Sequence, residues 1–199
     1  MIKKLYLFRH GETDWNKESR VQCSIDTELN ENGLNQAHIN CKNLKDKGIE
    51  CVYSSPLKRA YKTAEILAKG VGAKIEVVEG LKEMVGGDYE GLTKQEIISK
   101  FGKENYEMFS HTRNDGMELC YLNGETKKAT RERIRHTVEN ICKNSPYNTI
   151  AIASHGFILR EFIRSTDFEN DVLLKNCEVL EAEYKNGEIA ITKRIHFGE

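Results

Sequence analysis

At 199 residues the chain fits one domain with a sizeable core, residues 1–199, rather than two. Charged residues make up 31% of it and nearly cancel to a formal net charge of -1, which leaves no global field to draw nucleic acid or an anionic membrane. No apolar run reaches the ~20 residues of a membrane-spanning helix, and Met1 to Lys4 lead into a strand instead of a signal-peptide core, so a cytoplasmic protein with reduced, mostly buried cysteines is expected.

Leu5-Tyr6-Leu7-Phe8 predicts a buried strand that ends abruptly in Arg9, His10 and Gly11. After a polar stretch from Lys17 to Leu29, Asn30 caps a helix whose apolar side is Leu34, Ala37, Cys41 and Leu44, with Gly48 as its stop. Cys51 to Ser54 forms a short strand, and Ser55 with Pro56 reads as the N-cap and first position of a helix running toward Gly70. Ile75 to Val78 is a further strand, Leu81 to Gly91 a loop, and Thr93 to Glu96 a capping box opening a short helix. The least periodic stretch, about 101–125, suits a lid or specificity segment. Thr126 to Asn144 is an amphipathic helix with Ala129, Ile134, Val138 and Ile141 on one side. Thr149 to Ala153 is a buried strand ending in Ser154, His155 and Gly156, with a helix from Phe157 to Arg164. Val179 to Tyr184 and Ile189 to Ile195 flank Asn186-Gly187 as a hairpin.

The carboxyl edge of a sheet is where open α/β folds place ligands. A histidine at such an edge offers one ring nitrogen, and the adjacent Arg9 supplies a fork of donors suited to phosphoryl oxygens. The strand–His–Gly pattern recurs at His155, and Arg59 falls in the first turns of a helix after a strand, near the positive end of its dipole. These residues point to a phosphate site. No His, Asp or Cys spacing fits a metal set, and no cofactor is expected.

Five blocks in chain order resemble the histidine phosphatase superfamily, the phosphoglycerate-mutase-like clan. They are Arg9-His10-Gly11-Glu12-Thr13 with Asn16; Ser54-Ser55-Pro56-Leu57 with Arg59-Ala60 and Thr63-Ala64; Leu81 and Glu83 with Gly87-Asp88 and Glu90-Gly91; Gly124-Glu125-Thr126; and Ser154-His155-Gly156. The resemblance implies an α/β fold, a three-layer α/β/α sandwich around a mainly parallel sheet, and transfer through a phosphohistidine. It makes His10 the nucleophile, Glu83 the proton donor to the leaving group, and Arg9, Arg59 and His155 the cations and donors around the phosphoryl oxygens, with Asn16 as a neutral donor. Glu12, Asp88 and Glu90 are expected in supporting roles, and Gln22, Cys23 and Gly156 at the substrate. Two arginines beside His10 should hold its pKa below or near the usual ~6.5.

The departures from the family pattern fall on the rim. Family members commonly carry glycine at Cys23, proline at Glu28, an aromatic at Gly86 and a second glycine at Phe157. The mutase branch keeps a tyrosine at the Gly86 position and paired arginines in the inserted segment, where Arg113 stands alone, although Lys94 matches a mutase lysine. The expected function is a phosphomonoesterase acting on a small phosphorylated metabolite, with no nucleic acid or membrane partner. A phosphoglycerate mutase and a non-catalytic phosphate-binding module are the alternatives. Cys23, Gln22, Glu28, Lys94, Phe157 and the region of His111 and Arg113 are expected to shape substrate choice.

Overall fold

Alternation along the first strand sets the layers. Leu5 and Leu7 enter one hydrophobic cluster and Tyr6 and Phe8 another, so the strand is buried on both faces, as parallel sheets covered by helices are. The computed structural model describes residues 2–111, 118, 120–168 and 173–196, the side chains of 108–111 excepted. Along the chain run β1 (Ile2–Arg9), α1 (Asp14–Lys17), α2 (Glu31–Leu44), β2 (Cys51–Ser54), α3 (Lys58–Val71), β3 (Lys74–Val77), α4 (Lys94–Phe101), α5 (Lys103–His111), α6 (Lys127–Asn144), β4 (Thr149–Ser154), α7 (Gly156–Arg164), β5 (Val179–Lys185) and β6 (Glu188–Ile195).

The strand order is β3-β2-β4-β1-β5-β6; the first four are parallel, and β5 and β6 join as an antiparallel hairpin. Residues Ile134, Val138, Ile141 of α6 and Ile158, Leu159, Phe162 of α7 pack on Leu5, Leu7, Tyr53, Ile150 and Ile152. Leu44 of α2 and Ala64, Leu67, Ala68 of α3 pack on Tyr6, Phe8, Val52, Ala151 and Ala153 across the sheet. This is the expected α/β/α sandwich around a mainly parallel sheet. Each fully buried Leu, Ile or Phe contributes roughly 1.5–3 kcal/mol, so β1 and β4 are the best-anchored strands. Asn186 and Gly187 both hold positive φ, 55° and 93°, the geometry that lets a two-residue turn follow strand twist.

Register then does the positioning. Arg9 pairs with Ser154 across the β1–β4 ladder, so His10 and His155, each the next residue, emerge side by side. Ser54 pairs with Ala153 and Val77 with Ser54, which brings α3 and the loop after β3 to the same edge.

Several local expectations shift. Helix α3 begins at Lys58 with Leu57 as N-cap, not at Pro56; the Ser55 hydroxyl accepts from the Leu57 amide at 3.3 Å and meets His155 Nε2 at 2.7 Å. On α2 the buried face is Gly33, Ala37, Asn40 and Leu44, with Leu34 and Cys41 half-buried. On α6 it is Lys127, Thr130, Ile134, Val138, Ile141 and Cys142, and Ala129 is exposed. Part of the aperiodic 101–125 stretch is helical, since Gly102 at φ +88° ends α4 and α5 follows. Arg113 lies outside the described residues, as does the side chain of His111. Among the described residues no helix is long and apolar enough to cross a membrane.

Candidate active site

Each of the four parallel strands delivers a group to one edge. β1 ends in Arg9 and leads to His10, β4 leads to His155, β2 leads through Ser55 to Arg59, and β3 leads to the loop bearing Glu83. Relative exposures of His10, His155, Arg59 and Glu83 are 3%, 0%, 1% and 7%, so four ionisable groups are held out of water together. Such burial is costly unless paired or used.

His10 is fixed by its neighbours on both nitrogens. Its Nδ1 lies 2.7 Å from the Gly11 carbonyl, an acceptor only, so Nδ1 carries the proton and Nε2 is bare. The Arg59 Nε–H points at that Nε2 from 3.3 Å. Burial first, then the Arg59 and Arg9 guanidiniums, hold His10 well below the usual 6.5, and the Gly11 bond opposes them in part. The ring is therefore neutral at physiological pH, as expected from the sequence.

Arg59 is the best-held cation. Its Nη1 and Nη2 donate to the carbonyls of Ile25 and Cys23 at 2.6 and 2.7 Å, which ties the loop after α1 to the guanidinium beside His10. Arg9 donates through Nη1 to the Leu174 carbonyl at 2.8 Å, while its Nε is buried with no protein partner among the described residues. The Nδ1 of His155 is orphaned in the same way, and its Nε2 meets Ser55 Oγ at 2.7 Å. His155 stands beside His10 with ring centroids 5.2 Å apart, and burial, followed by the Arg59 charge, pushes its pKa well below 6.5. His155 is thus neutral and enters the expected set as a hydrogen-bonding group, not as a cation. Buried polar groups without partners are rare, and Arg9 Nε and His155 Nδ1 are two of them on residues next to His10.

Glu83 sits on the N-terminus of α7. Its Oε2 accepts from the Phe157 amide at 2.9 Å, and Oε1 from the Ile158 and Met84 amides at 2.8 and 3.0 Å. Burial raises its pKa above the usual 4.5 against the pull of those amides and of Arg59. Asn16 closes a capping box with Thr13, and its Oδ1 also accepts from Asn176 Nδ2 at 3.2 Å, which turns its amide nitrogen away from these donors.

A cavity of about 260 Å³ is lined by Arg9, His10, Asn16, Gln22, Cys23, Arg59, Glu83, Gly156 and Phe157, all predicted, together with Ser19, Arg20, Val21, Tyr106, Tyr121 and Leu173. His155 is not in its wall. Gln22 is held by Thr27 at 2.6 Å. Cys23 takes φ +44°, and its Sγ and Cβ lie 2.7 and 2.8 Å from where a Cβ on Gly86 would be. The two departures from the family pattern therefore occupy one space. Glu12, Asp88 and Glu90 bond Asn30, Asn123, and Ser24 with Gly86, in supporting roles as expected. A larger groove of about 690 Å³ lies beside α6 and the hairpin, lined by Arg135, Glu139, Phe162 and Ile189 among others, but among the described residues it gathers no histidine with converging arginines.

The sequence reading missed Asn176, which donates to the His10 carbonyl at 3.0 Å as well as to Asn16. It read Ser55 as a helix cap, not as a partner of His155, and did not single out Arg20, Tyr106 or Leu173. Asn176 has no local pattern: it lies in a loop before β5, and its partners are 160 and 166 residues away.

Comparison with known proteins identifies the family. The family model described as histidine phosphatase superfamily (branch 1) matches residues 5–195. The chain is 37% identical, over 79% of its length and 68% of the relative's, to phosphoglycerate mutase-like protein 4 of Arabidopsis thaliana. It is 35% identical, over 89% of its length and 75% of the relative's, to a metal-independent phosphoserine phosphatase of the same plant. A phosphoserine phosphatase mutant from Entamoeba histolytica, solved in complex with phosphoserine, superposes with a TM-score of 0.79 at 28% identity, covering 96% of each chain. The chain belongs to the histidine phosphatase superfamily.

Proposed function

We propose that the protein is a phosphomonoesterase that hydrolyses a small phosphorylated metabolite through a phosphohistidine at His10. The observation that carries the reading is the bare Nε2 of a neutral, buried His10 facing the Arg59 Nε–H, with Nδ1–H anchored on Gly11. In the first step Nε2 attacks phosphorus, the P–O ester bond breaks, and protonated Glu83 gives its proton to the leaving oxygen. In the second, water attacks the phosphohistidine, the Glu83 carboxylate takes the water's proton, and phosphate leaves with His10 neutral again. Arg9, Arg59, His155 and Asn16 supply charge and hydrogen bonds to the phosphoryl oxygens, where a loose transition state needs them. Gln22, Cys23 and Gly156, with the 101–125 segment through Tyr106 and Tyr121, shape the space for the alcohol.

Relatives named as phosphatases and as mutases share the first half-reaction, so the acceptor of the phosphoryl group is the open choice. Beyond Arg9 and Arg59, the described cavity wall offers Arg20 as its cation, and that guanidinium is engaged by Glu18, Glu96 and the Gly91 carbonyl. This supports water as acceptor over a phosphoglycerate held by a second anion site. Phosphate release from phosphoserine, 3-phosphoglycerate and p-nitrophenyl phosphate, with chelator present, tests the reading. Release by wild type and its loss in His10→Ala are expected. Interconversion of phosphoglycerates without release favours the mutase, and phosphate binding with no turnover of any ester favours the non-catalytic module.

A further inference from the structure

The backbone that leads into Glu83 is held by one side chain from another layer of the sandwich. Arg133 of α6 donates through Nη1 to the carbonyls of Gly80 and Lys82, at 2.9 and 2.8 Å. Its Nε and Nη2 are gripped by Glu125 at 2.9 and 2.7 Å, a two-bond pair with side chains 27% and 17% exposed. Between those carbonyls, that of Leu81 accepts from Ser154 Oγ at 2.8 Å. Three successive carbonyls before Glu83 therefore end on side chains. Beyond Glu83, the Glu125 amide donates to the Val85 carbonyl at 2.8 Å, so the far side of the loop is tied to the same pair.

The packing lets the reach occur. A Cβ on Gly80 would lie 2.1 Å from Thr137 Oγ1, and that hydroxyl donates to the Arg133 carbonyl at 2.7 Å, so the loop lies flat on the helix surface that carries Arg133. Only a planar fork meets two carbonyls and a carboxylate at once; a lysine ammonium has no such shape.

We propose that Arg133, oriented by Glu125, is a positioning residue for proton transfer by Glu83. The proposal rests on the reading of Glu83 as proton donor given above. Arg133 does not line the cavity. It acts by fixing the start of a carboxyl group whose own contacts are the amides of Met84, Phe157 and Ile158, contacts that cannot all persist when the proton moves to a leaving oxygen. A misplacement of about 1 Å in such a group is worth as much as 100-fold in rate.

The test separates aim from bulk structure through the leaving group. An alkyl phosphate such as glycerol 2-phosphate needs a proton on its departing oxygen, whereas p-nitrophenolate leaves without one. Arg133→Met is expected to lower kcat/KM on the alkyl ester by about tenfold or more and on p-nitrophenyl phosphate by less than about threefold. Glu83→Gln should show the same selectivity more strongly, and Arg133→Lys should fall between Arg133→Met and wild type. Arg133→Lys carries the comparison should Arg133→Met give no folded protein. Equal losses on both esters, or no loss in folded protein, overturn the proposal and leave the Glu83 reading standing if Glu83→Gln is selective. An unselective Glu83→Gln overturns both.

Discussion

A histidine that attacks phosphorus must keep one nitrogen bare, and His10 does so through a single backbone carbonyl. The pH consequence follows from two opposed shifts. Burial and the neighbouring guanidiniums lower His10 below 6.5, so the proposed nucleophile stays neutral as pH falls through that value. Burial raises Glu83 above 4.5, so its proton is retained further up and lost as pH rises through the shifted pKa. A bell-shaped kcat/KM profile is expected, with its acid limb below pH 6.5 and an alkaline limb that disappears in Glu83→Gln; steady-state rates across pH check it. Arg59→Lys keeps the charge but not the three directed bonds, and a fall in kcat of about 100-fold is expected in the same assay. At the rim, Gly86→Ala drives a methyl into Cys23, which should destabilise the fold by about 1–3 kcal/mol in urea titration, with Cys23→Gly restoring most of it.

Among the elements, the hairpin does more than complete the sheet. Glu178, 3% exposed, stands just before β5 and is paired with Arg194 of β6 at 2.6 and 2.8 Å. It also accepts from the Lys175 amide, closing the loop whose Leu174 carbonyl holds Arg9 and whose Asn176 holds His10. Arg194→Met leaves that carboxylate without its cation. A loss of about 1–3 kcal/mol is expected, with weaker phosphate binding by calorimetry, although residue 194 is remote from the cavity. This pairing is not legible in the sequence, where nothing local links Glu178 to Arg194, 16 residues on. The elements themselves were legible where the pattern is local: β1 and β4 from apolar runs, α2 from Asn30, α4 from its capping box, the hairpin from Asn186-Gly187. The start of α3 was not: Leu57, which has no capping side chain, holds the N-cap position, and the Ser55 hydroxyl also serves a histidine 100 residues away.

For the whole molecule, parallel register turns scattered motifs into one site. The residue types at the strand ends could be read from the sequence. That β1 and β4 are neighbours, so that His10 and His155 meet, is a property of topology alone. Burying both imidazoles neutral links the site to acid stability. The unfolded chain takes up these protons near pH 6.5 and the folded protein only at lower pH, so stability is present above pH 6.5 and is lost as pH falls below it. Melting temperatures should drop below that pH, and less steeply in His10→Gln. The most direct measurement is rapid-quench labelling with a phosphorylated substrate, followed by mass mapping of the acid-labile, base-stable phosphoryl group. One phosphoryl group on His10 during turnover, and none in His10→Ala, is the expected result. Turnover with no phosphohistidine, or with the label on another residue, would contradict a mechanism through His10.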